Sequence, residues 1–195
     1  EGGSGNDRLV GGAGDDSLHG GAGNDVIFAG DRDRVDGGGG KDVLSFYGNG
    51  GVGVTVDLAE ETLNGTGTVA NVEYLAGGYG NDTFRGDERA NWLAGGRGND
   101  TLTGQGGADE FVFQYAQNGE DVVTDFDAGE GDTLVIGGRA YNELTITREG
   151  ADTVVSWQPD INGTPQSSVR LDGFTGDLDK SHFSFEVLSL DGLIF

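Results

Sequence analysis

The sequence predicts an all-β fold in which short parallel strands stack as a solenoid. Two observations lead to this prediction. The composition, with 40 glycines and only 34% hydrophobic residues, is unlike that of a conventional globular core. The nonapeptide Gly-Gly-x-Gly-x-Asp-x-U-x, where U is apolar, recurs in the chain, and such a fixed short period is typical of stacked β-helical coils. The repeats begin at Gly2, Gly11, Gly20, Gly37, Gly77 and Gly95.

Each nonapeptide predicts one short strand and one turn. In the strand x-U-x the middle side chain faces inward, and glycines at the first, second and fourth positions permit the positive φ values that a tight turn needs. Two nonapeptides complete one coil, so residues 18 apart should stack at about 4.8 Å, the spacing of paired strands. The predicted core is the column of eighth-position residues: Leu9, Leu18, Ile27, Leu44, Phe84, Leu93, Leu102 and Phe111.

The repeats divide the chain into blocks. Residues 1–45 form the first block, which contains one degenerate unit at 29–36 that keeps Val35 at its inward position. Residues 46–76 are a β insertion that continues the roll, with an alternating strand at 52–58 and a turn at 65–71. Residues 77–112 form the second block, in which Asn91 replaces the expected aspartate of one unit.

Residues 113–195 have the composition of ordinary β structure. Strands are predicted at 121–126, 133–136, 143–147, 152–157, 168–172 and 183–187, and no segment has the pattern of a helix. A solenoid exposes apolar surface at its end unless another element covers it. This segment is therefore predicted to cap the roll.

The charge of the chain limits its partners. With 11 basic and 34 acidic residues the formal net charge is −23, so the chain repels itself, and nucleic acid and anionic membranes are excluded as partners. The chain contains no cysteine, and no apolar run approaches the roughly 20 residues of a membrane span. The first repeat begins at residue 2, which suggests a module of a longer protein.

The sixth-position aspartates indicate a metal site. Asp7, Asp25 and Asp42 are 18 and 17 residues apart, and Asp82 and Asp100 are 18 apart, so each set should form a column of carboxylates. Stacked carboxylates repel each other unless a cation lies between them. Calcium suits oxygen-only turns because it accepts six to eight oxygen ligands in flexible geometry, whereas magnesium demands a strict octahedron. Zinc would need histidine or cysteine, of which the chain has two and none.

These nonapeptides resemble those of the RTX (repeats-in-toxin) proteins of Gram-negative bacteria. Further stretches resemble RTX C-terminal regions: Asn71-Val-Glu73, Gly80-Asn-Asp82-Thr83, Ala108-Asp109-Glu-Phe111-Val-Phe113 and Asp121-Val-Val-Thr-Asp125-Phe126. The resemblance implies a right-handed parallel β-roll that holds several Ca²⁺ ions between adjacent turns. It also implies that the ligands are carbonyls of the first four turn positions and the carboxylate of the sixth.

Carried onto this sequence, the resemblance implies one set of ligands for each good turn. In the first block these are Gly2, Gly3, Ser4, Gly5 and Asp7; Gly11, Gly12, Ala13, Gly14 and Asp16; Gly20, Gly21, Ala22, Gly23 and Asp25; and Gly37, Gly38, Gly39, Gly40 and Asp42. In the second block they are Gly77, Gly78, Tyr79, Gly80 and Asp82; Gly95, Gly96, Arg97, Gly98 and Asp100; and Gly104, Gly106 and Asp109.

The resemblance also implies a function and a partner. Such modules leave the cell through a type I secretion apparatus, and the tail Asp191-Gly-Leu193-Ile194-Phe195 resembles some signals for it. The chain is expected to be secreted, to fold on calcium outside the cell, and to support the secretion and stability of a larger protein. The alternative is a polysaccharide- or surface-binding module of a mannuronan epimerase-like enzyme or an adhesin, which an aromatic or basic stripe would favour.

No enzyme activity is expected for this chain, although a catalytic domain upstream would be compatible with it. His19 and His182 lack metalloprotease spacing, and no Gly-x-Ser-x-Gly motif exists.

Two other questions stay open at this stage. The acidic stretch 125–132, like Asp31 and Asp33, is either a plain turn or an extra calcium site. The outward residues Val10, Phe28 and Trp92 form either a contact surface or a face that the insertion covers.

Overall fold

A computed structural model describes residues 1–113, 119–137, 139–159 and 165–185. Within these ranges the chain is almost entirely β, as predicted. The strands are β1 (Gly3–Ser4), β2 (Arg8–Val10), β3 (Ser17–Ala22), β4 (Val26–Phe28), β5 (Arg34–Gly39), β6 (Val43–Ser45), β7 (Thr55–Asp57), β8 (Thr62–Leu63), β9 (Gly67–Ala70), β10 (Tyr74–Ala76), β11 (Thr83–Arg85), β12 (Trp92–Ala94), β13 (Thr101–Thr103), β14 (Glu110–Phe113), β15 (Gly119–Val123), β16 (Thr133–Ile136), β17 (Thr145–Glu149), β18 (Asp152–Pro159), β19 (Pro165–Leu171) and β20 (Phe183–Ser184).

The repeat strands alternate between two stacked sheets, which makes the fold a parallel β-roll. One sheet has 12 strands in the order β1-β3-β5-β9-β8-β7-β11-β13-β15-β19-β18-β17, and the other has eight in the order β2-β4-β6-β10-β12-β14-β16-β20. Leu9 pairs with Ile27, and Ile27 pairs with Leu44, so one coil takes 18 residues and the next takes 17. The missing residue belongs to the degenerate unit at 29–36. Its loss does not disturb the register, since Val35 still pairs with Leu18.

The core lies between the sheets and consists of the inward residue of each strand. All eight predicted core residues are buried, from Leu18 at 9% exposure to Phe111 at 0%, and Val35 is buried with them. Strand parity explains this result, because only the middle side chain of a three-residue strand faces the opposite sheet. The prediction of the core from the eighth position is confirmed.

Residues 46–76 add strands to both sheets. β8 runs antiparallel between β9 and β7, while β9 and β7 pair in parallel with the repeat strands β5 and β11. Val54, Val56 and Leu58 point into the core, as their alternation predicts. The predicted strand 52–58 is wrong at its start, because Val52 is 60% exposed and the strand is limited to Thr55–Asp57. The predicted turn at 65–71 is wrong in part, since residues 67–70 form β9. This short strand is possible because Asn64, Gly65 and Asn71 adopt positive φ values on either side of it.

The C-terminal strands extend the same sheets. β15, β16 and β20 continue the parallel pairing, while β17, β18 and β19 form an antiparallel ribbon at the edge of the larger sheet. The ring of Trp157 lies 5.8 Å from that of Phe113, so this ribbon packs on the core of the roll. The predicted strand 183–187 is seen as Phe183–Ser184. Phe185 does not belong to the strand, and residues 186–187 and the tail 191–195 lie outside the described residues.

Helical structure in the described ranges is limited to two 3-10 turns, at Tyr141–Glu143 and Lys180–His182. None of the helices in this part of the chain has the length and hydropathy that a membrane span requires. The segments between strands therefore consist mainly of turns. The candidate site is built from those turns.

Candidate metal centre

The glycines of each turn have two different structural roles. Gly21 and Gly23, at the second and fourth positions, have φ values of 115° and 125°, which other residues rarely adopt. Gly20, at the first position, does not have a positive φ, so the prediction was wrong for this position. Glycine is required there because a Cβ atom would overlap the carboxylate oxygen Oδ2 of Asp25. The first glycine thus makes room for the sixth-position carboxylate.

Backbone carbonyls from both neighbouring turns meet in the gap between two coils. The Gly3 carbonyl oxygen lies against Gly21 of the next coil, where a Cβ atom would collide with it. The same relation holds between fourth positions, where the Gly5 oxygen lies against Gly23. The first-position carbonyl faces the other way, toward the preceding coil. Each gap therefore receives carbonyl oxygens from both of its turns.

The predicted aspartate columns exist. The backbone N–H of Asp7 donates to Asp25 Oδ1 at 2.8 Å, and that of Asp25 donates to Asp42 Oδ1 at 2.8 Å. On the opposite edge of the roll, the N–H of Asp82 donates to Asp100 Oδ1 at 2.7 Å. One oxygen of each receiving carboxylate is thus used to join neighbouring coils.

Both columns extend further than the sequence analysis predicted. The added members accept a hydrogen bond from the N–H of a predicted aspartate in the preceding coil, at 2.9 to 3.1 Å. Each is followed two residues later by a buried apolar residue, a signal that would have identified them. They are Asp33, which accepts from Asp16; Glu73, from Asp42; Asp121, from Asp100; and Asp132, from Asp109.

Asp31 and Asp125, whose roles the sequence analysis left undecided, lie outside the columns. Asp31 is exposed, and its Oδ1 accepts from Asn64 Nδ2 at 3.1 Å. Asp125 instead accepts the N–H groups of Gly104 and Gln105, each at 2.9 Å, and so fixes the start of that turn. Within the stretch 125–132, Asp132 is the column member.

The second carboxylate oxygen tests whether these turns fit a cation. In six aspartates Oδ2 is buried and has no hydrogen-bond partner: Asp7, Asp16, Asp25, Asp42, Asp100 and Asp109. A buried, unpaired carboxylate oxygen is costly unless a cation or a donor satisfies it. Across the described residues, no group of three or more His, Cys, Asp or Glu side chains surrounds a common point. The available ligands are therefore one carboxylate and several carbonyls, an all-oxygen set that fits calcium.

Burial also changes the acidity of these carboxyls. Burial raises the pKa of Asp100 to about 7, and the negative charge of Asp82 adds to this effect. In the same way, the pKa of Asp42 rises to about 6, that of Asp109 to about 7 and that of Asp121 to about 8. Without a cation, the folded turns therefore favour the protonated form of these groups.

Two predicted turns differ from the others. In the Gly77 turn, Gly78 and Gly80 do not have positive φ values, and Asp82 accepts N–H groups from Gly78 and Val54 with its two oxygens. The Gly104 turn has positive φ values at Gln105 and Gly107. Those two residues, and not Gly106, therefore occupy the conformational positions that glycines occupy elsewhere.

The three outward residues lie in different environments. Val10 is 59% exposed, and Phe28 is half-buried beneath the Arg8 guanidinium, whose carbon lies 4.3 Å from the ring centre. Trp92 is buried and packs on Tyr74 with their ring centres 5.9 Å apart. Tyr74 belongs to residues 46–76, so the insertion covers part of this face and leaves Val10 uncovered.

The fold and the two acidic columns define the chain as a calcium-binding β-roll. Four copies of the family described as the RTX calcium-binding nonapeptide repeat match the chain, at residues 1–31, 72–89 and 76–111. Residues 1–31 and 72–111 thus match RTX nonapeptide repeats, and such repeats bind Ca²⁺. The resemblance seen in the sequence is confirmed, as are the fold class and the metal.

Two solved structures are similar to the chain. The extracellular lipase LipA from Serratia marcescens shares 18% identity over 94% of this chain and 39% of its own, with a TM-score of 0.47. The AlgE6R3 subunit of the Azotobacter vinelandii mannuronan C5-epimerase shares 24% identity over 94% of this chain and 80% of its own, with a TM-score of 0.36. The chain thus spans well under half of the lipase. A comparison with curated proteins found no significant match.

Proposed function

We propose that this chain is a secreted module that folds on calcium binding and supports the secretion and stability of a larger protein. The observation that carries the proposal is the set of six buried Oδ2 atoms without partners. The net charge of −23 opposes compaction in the absence of cations. Because calcium binds the folded turns and not the open chain, its binding free energy becomes folding free energy.

The geometry supports a specific ligand set for each gap. Between the Gly2 and Gly20 turns, the proposed ligands are the carbonyl oxygens of Gly3, Gly5 and Gly20 together with Asp7 Oδ2, because a Cβ atom on Gly2 would meet both the Gly20 oxygen and Asp7 Oδ2. Asp25 Oδ2 has the corresponding place beside the Gly37 oxygen in the next gap. Asp33, Glu73, Asp121 and Asp132 join the predicted aspartates as column members in this proposal.

Circular dichroism tests the folding step. In EDTA the far-ultraviolet spectrum should be that of a largely disordered chain, and millimolar calcium should produce β signal cooperatively. Magnesium at the same concentration should not, because it prefers a stricter octahedral shell. A full β spectrum in chelator at neutral pH would contradict calcium-dependent folding.

The secretion role rests on the RTX repeats, and export through a type I apparatus is part of the proposal. Its test is expression of the whole chain in Gram-negative cells with and without such an apparatus, followed by measurement of the chain in the medium. Export only when the apparatus is present is the expected result. Equal amounts in both media, or none in either, would contradict this role while leaving calcium-dependent folding intact.

A second candidate function, polysaccharide binding, is favoured by one exposed aromatic cluster. The rings of Tyr47 and Tyr79 lie 5.8 Å apart and are 56% and 46% exposed, and the Arg97 guanidinium carbon lies 5.2 Å from the Tyr79 ring centre. Arg97 forms no ion pair with any described residue. Tyrosine faces stack on sugar rings, and a guanidinium pairs with a uronate carboxylate.

Substitutions in this cluster can separate polysaccharide binding from calcium binding. Tyr79 and Arg97 occupy third turn positions, which serine, alanine or glycine fill in the other good repeats, and only their backbone carbonyls belong to the implied calcium ligands. Tyr79→Ala and Arg97→Gln should therefore leave calcium binding unchanged. Both should weaken the binding of mannuronan at saturating calcium, measured by titration calorimetry, whereas Val10→Ala should not. A wild-type chain that binds neither mannuronan nor a neutral glucan would exclude this second function.

A further inference from the structure

The turn at residues 86–91 lies within the first acidic column but lacks its carboxylate. Asn91 is at the sixth position, and its N–H still donates to Asp109 Oδ1 at 2.8 Å, so the link to the next coil is kept. The Asn91 Oδ1 atom accepts the N–H of Asp87 at 2.8 Å. The oxygen that other turns leave unpaired is therefore used inside this turn.

The backbone of this turn also differs from that of the calcium turns. Asp87 and Arg89 occupy the second and fourth positions, where most other turns have a glycine with positive φ. Neither residue has a positive φ value. The Glu88 side chain lies against Gly106 of the next coil, while the Arg89 carbonyl lies against Gly107 and the Gly104 carbonyl lies against Gly86, as in the other gaps. The turn therefore keeps carbonyls at its first and fourth positions but lacks the free carboxylate oxygen and the positive φ values.

A side-chain cation is present instead. Arg89 Nε and Nη2 donate to Asp87 Oδ2 at 2.9 and 2.7 Å, and Nη1 donates to Glu73 Oε1 at 3.3 Å. The other Glu73 oxygen accepts the N–H of Asp42, so this glutamate is the column member of the preceding coil. The guanidinium therefore joins an acidic residue of its own turn to an acidic residue of the neighbouring turn.

The guanidinium lies between two carboxylates that are mostly buried. Asp87 and Glu73 are only 15% and 16% exposed in their side chains. Burial raises the pKa of Asp87, but the hydrogen bonds and the charge of Arg89 outweigh burial and hold this pKa below its ordinary value. Asp87 is thus ionised at neutral pH without a metal ion.

We propose that the Arg89 guanidinium takes the place of calcium at this turn, as a cation that the chain carries with it. Residues 71–73 belong to the insertion and residues 86–91 to the second repeat block. The arginine therefore stabilises the junction between the two halves of the roll without depending on calcium. The roll has calcium-dependent turns on both sides of this junction.

Restoring the repeat pattern tests the proposal directly. The triple variant Asp87→Gly, Arg89→Gly, Asn91→Asp gives this turn the glycines and the aspartate of a good nonapeptide. Titration calorimetry with calcium should find one more bound ion in this variant than in the wild-type chain. An unchanged count, or a variant that stays unfolded at every calcium concentration, would overturn the proposal.

A matched pair of variants tests the stabilising role. Arg89→Met removes the charge and should lower the folding equilibrium constant at saturating calcium by about tenfold, because it leaves two partly buried carboxylates unpaired. Arg85→Met removes a comparable pair with Asp57 outside the columns and should lower it by about twofold or less. Arg89→Lys should recover part of the loss. Equal effects of Arg89→Met and Arg85→Met would show that Arg89 is an ordinary surface cation.

Discussion

Removal of one column carboxylate should affect the protein according to its place in the stack. Asp25 is fully buried, its Oδ1 accepts the Asp7 N–H, and its Oδ2 has no protein partner. Asp25→Ala therefore leaves the Asp7 N–H without its acceptor, which costs about 1–3 kcal/mol. It also removes a calcium ligand, and the loss of one ion bound at about 100 times its Kd costs roughly 2.7 kcal/mol. The expected destabilisation is roughly 4 kcal/mol.

Asp7→Ala should have a smaller effect, because Asp7 is only half-buried whereas Asp25 is fully buried. Compared with Asp7→Ala, Asp25→Ala should therefore bind at least one calcium ion fewer in titration calorimetry. It should also have a higher calcium midpoint of folding. Asp15→Ala is the matched control, since Asp15 is a turn aspartate outside the columns whose side chain is 70% exposed. Equal losses for Asp25→Ala and Asp7→Ala, or a loss as large for Asp15→Ala, would refute the stacked-turn geometry.

Three further predictions concern acid, glycine and the C-terminal strands. In chelator, the β signal should fall as the pH rises from 5 to 8.5. The pKa values of Asp100 and Asp121 in the fold, about 7 and about 8, exceed the ordinary 3.8, so protonation favours the folded state. A β signal that rises with pH would contradict this prediction. Gly20→Ala should raise the calcium midpoint, but Gly39→Ala should not, because a Cβ atom there would meet only the Gly21 oxygen at 4.0 Å. Deletion of residues 133–195 should weaken the calcium response; an unchanged midpoint would show that the repeats need no cap.

The local pattern was enough to predict most of the roll. The period of nine places each inward residue and each column aspartate in register, so Leu9, Ile27 and Leu44 could be aligned from spacing alone. Asp121 and Asp132 could not be found in this way. They follow Asp100 and Asp109 by 21 and 23 residues, because longer connections replace the six-residue turns.

The repeat pattern could not predict contacts between residues that are far apart in the sequence. The pairing of Arg89 with Glu73 joins the repeat to the insertion, and no spacing rule relates these two residues. The need for the first glycine was also misread, because the sequence shows only that a small residue recurs. The structure shows that it makes room for a carboxylate oxygen and does not adopt a positive φ.

Repulsion between stacked acidic groups is relieved in different ways along the column, and only one of these ways depends on calcium in the surroundings. Stacked acidic groups can be relieved by a neutral amide, as at Asn91, by a tethered cation, as at Arg89, or by a free cation. Asn91 and Arg89 are permanent features of the chain, so they stabilise the junction in every compartment. Calcium at the remaining turns can be removed. Under the proposed calcium-dependent folding, a roll with both kinds of turn keeps a fixed register at its centre, while its folding as a whole requires calcium.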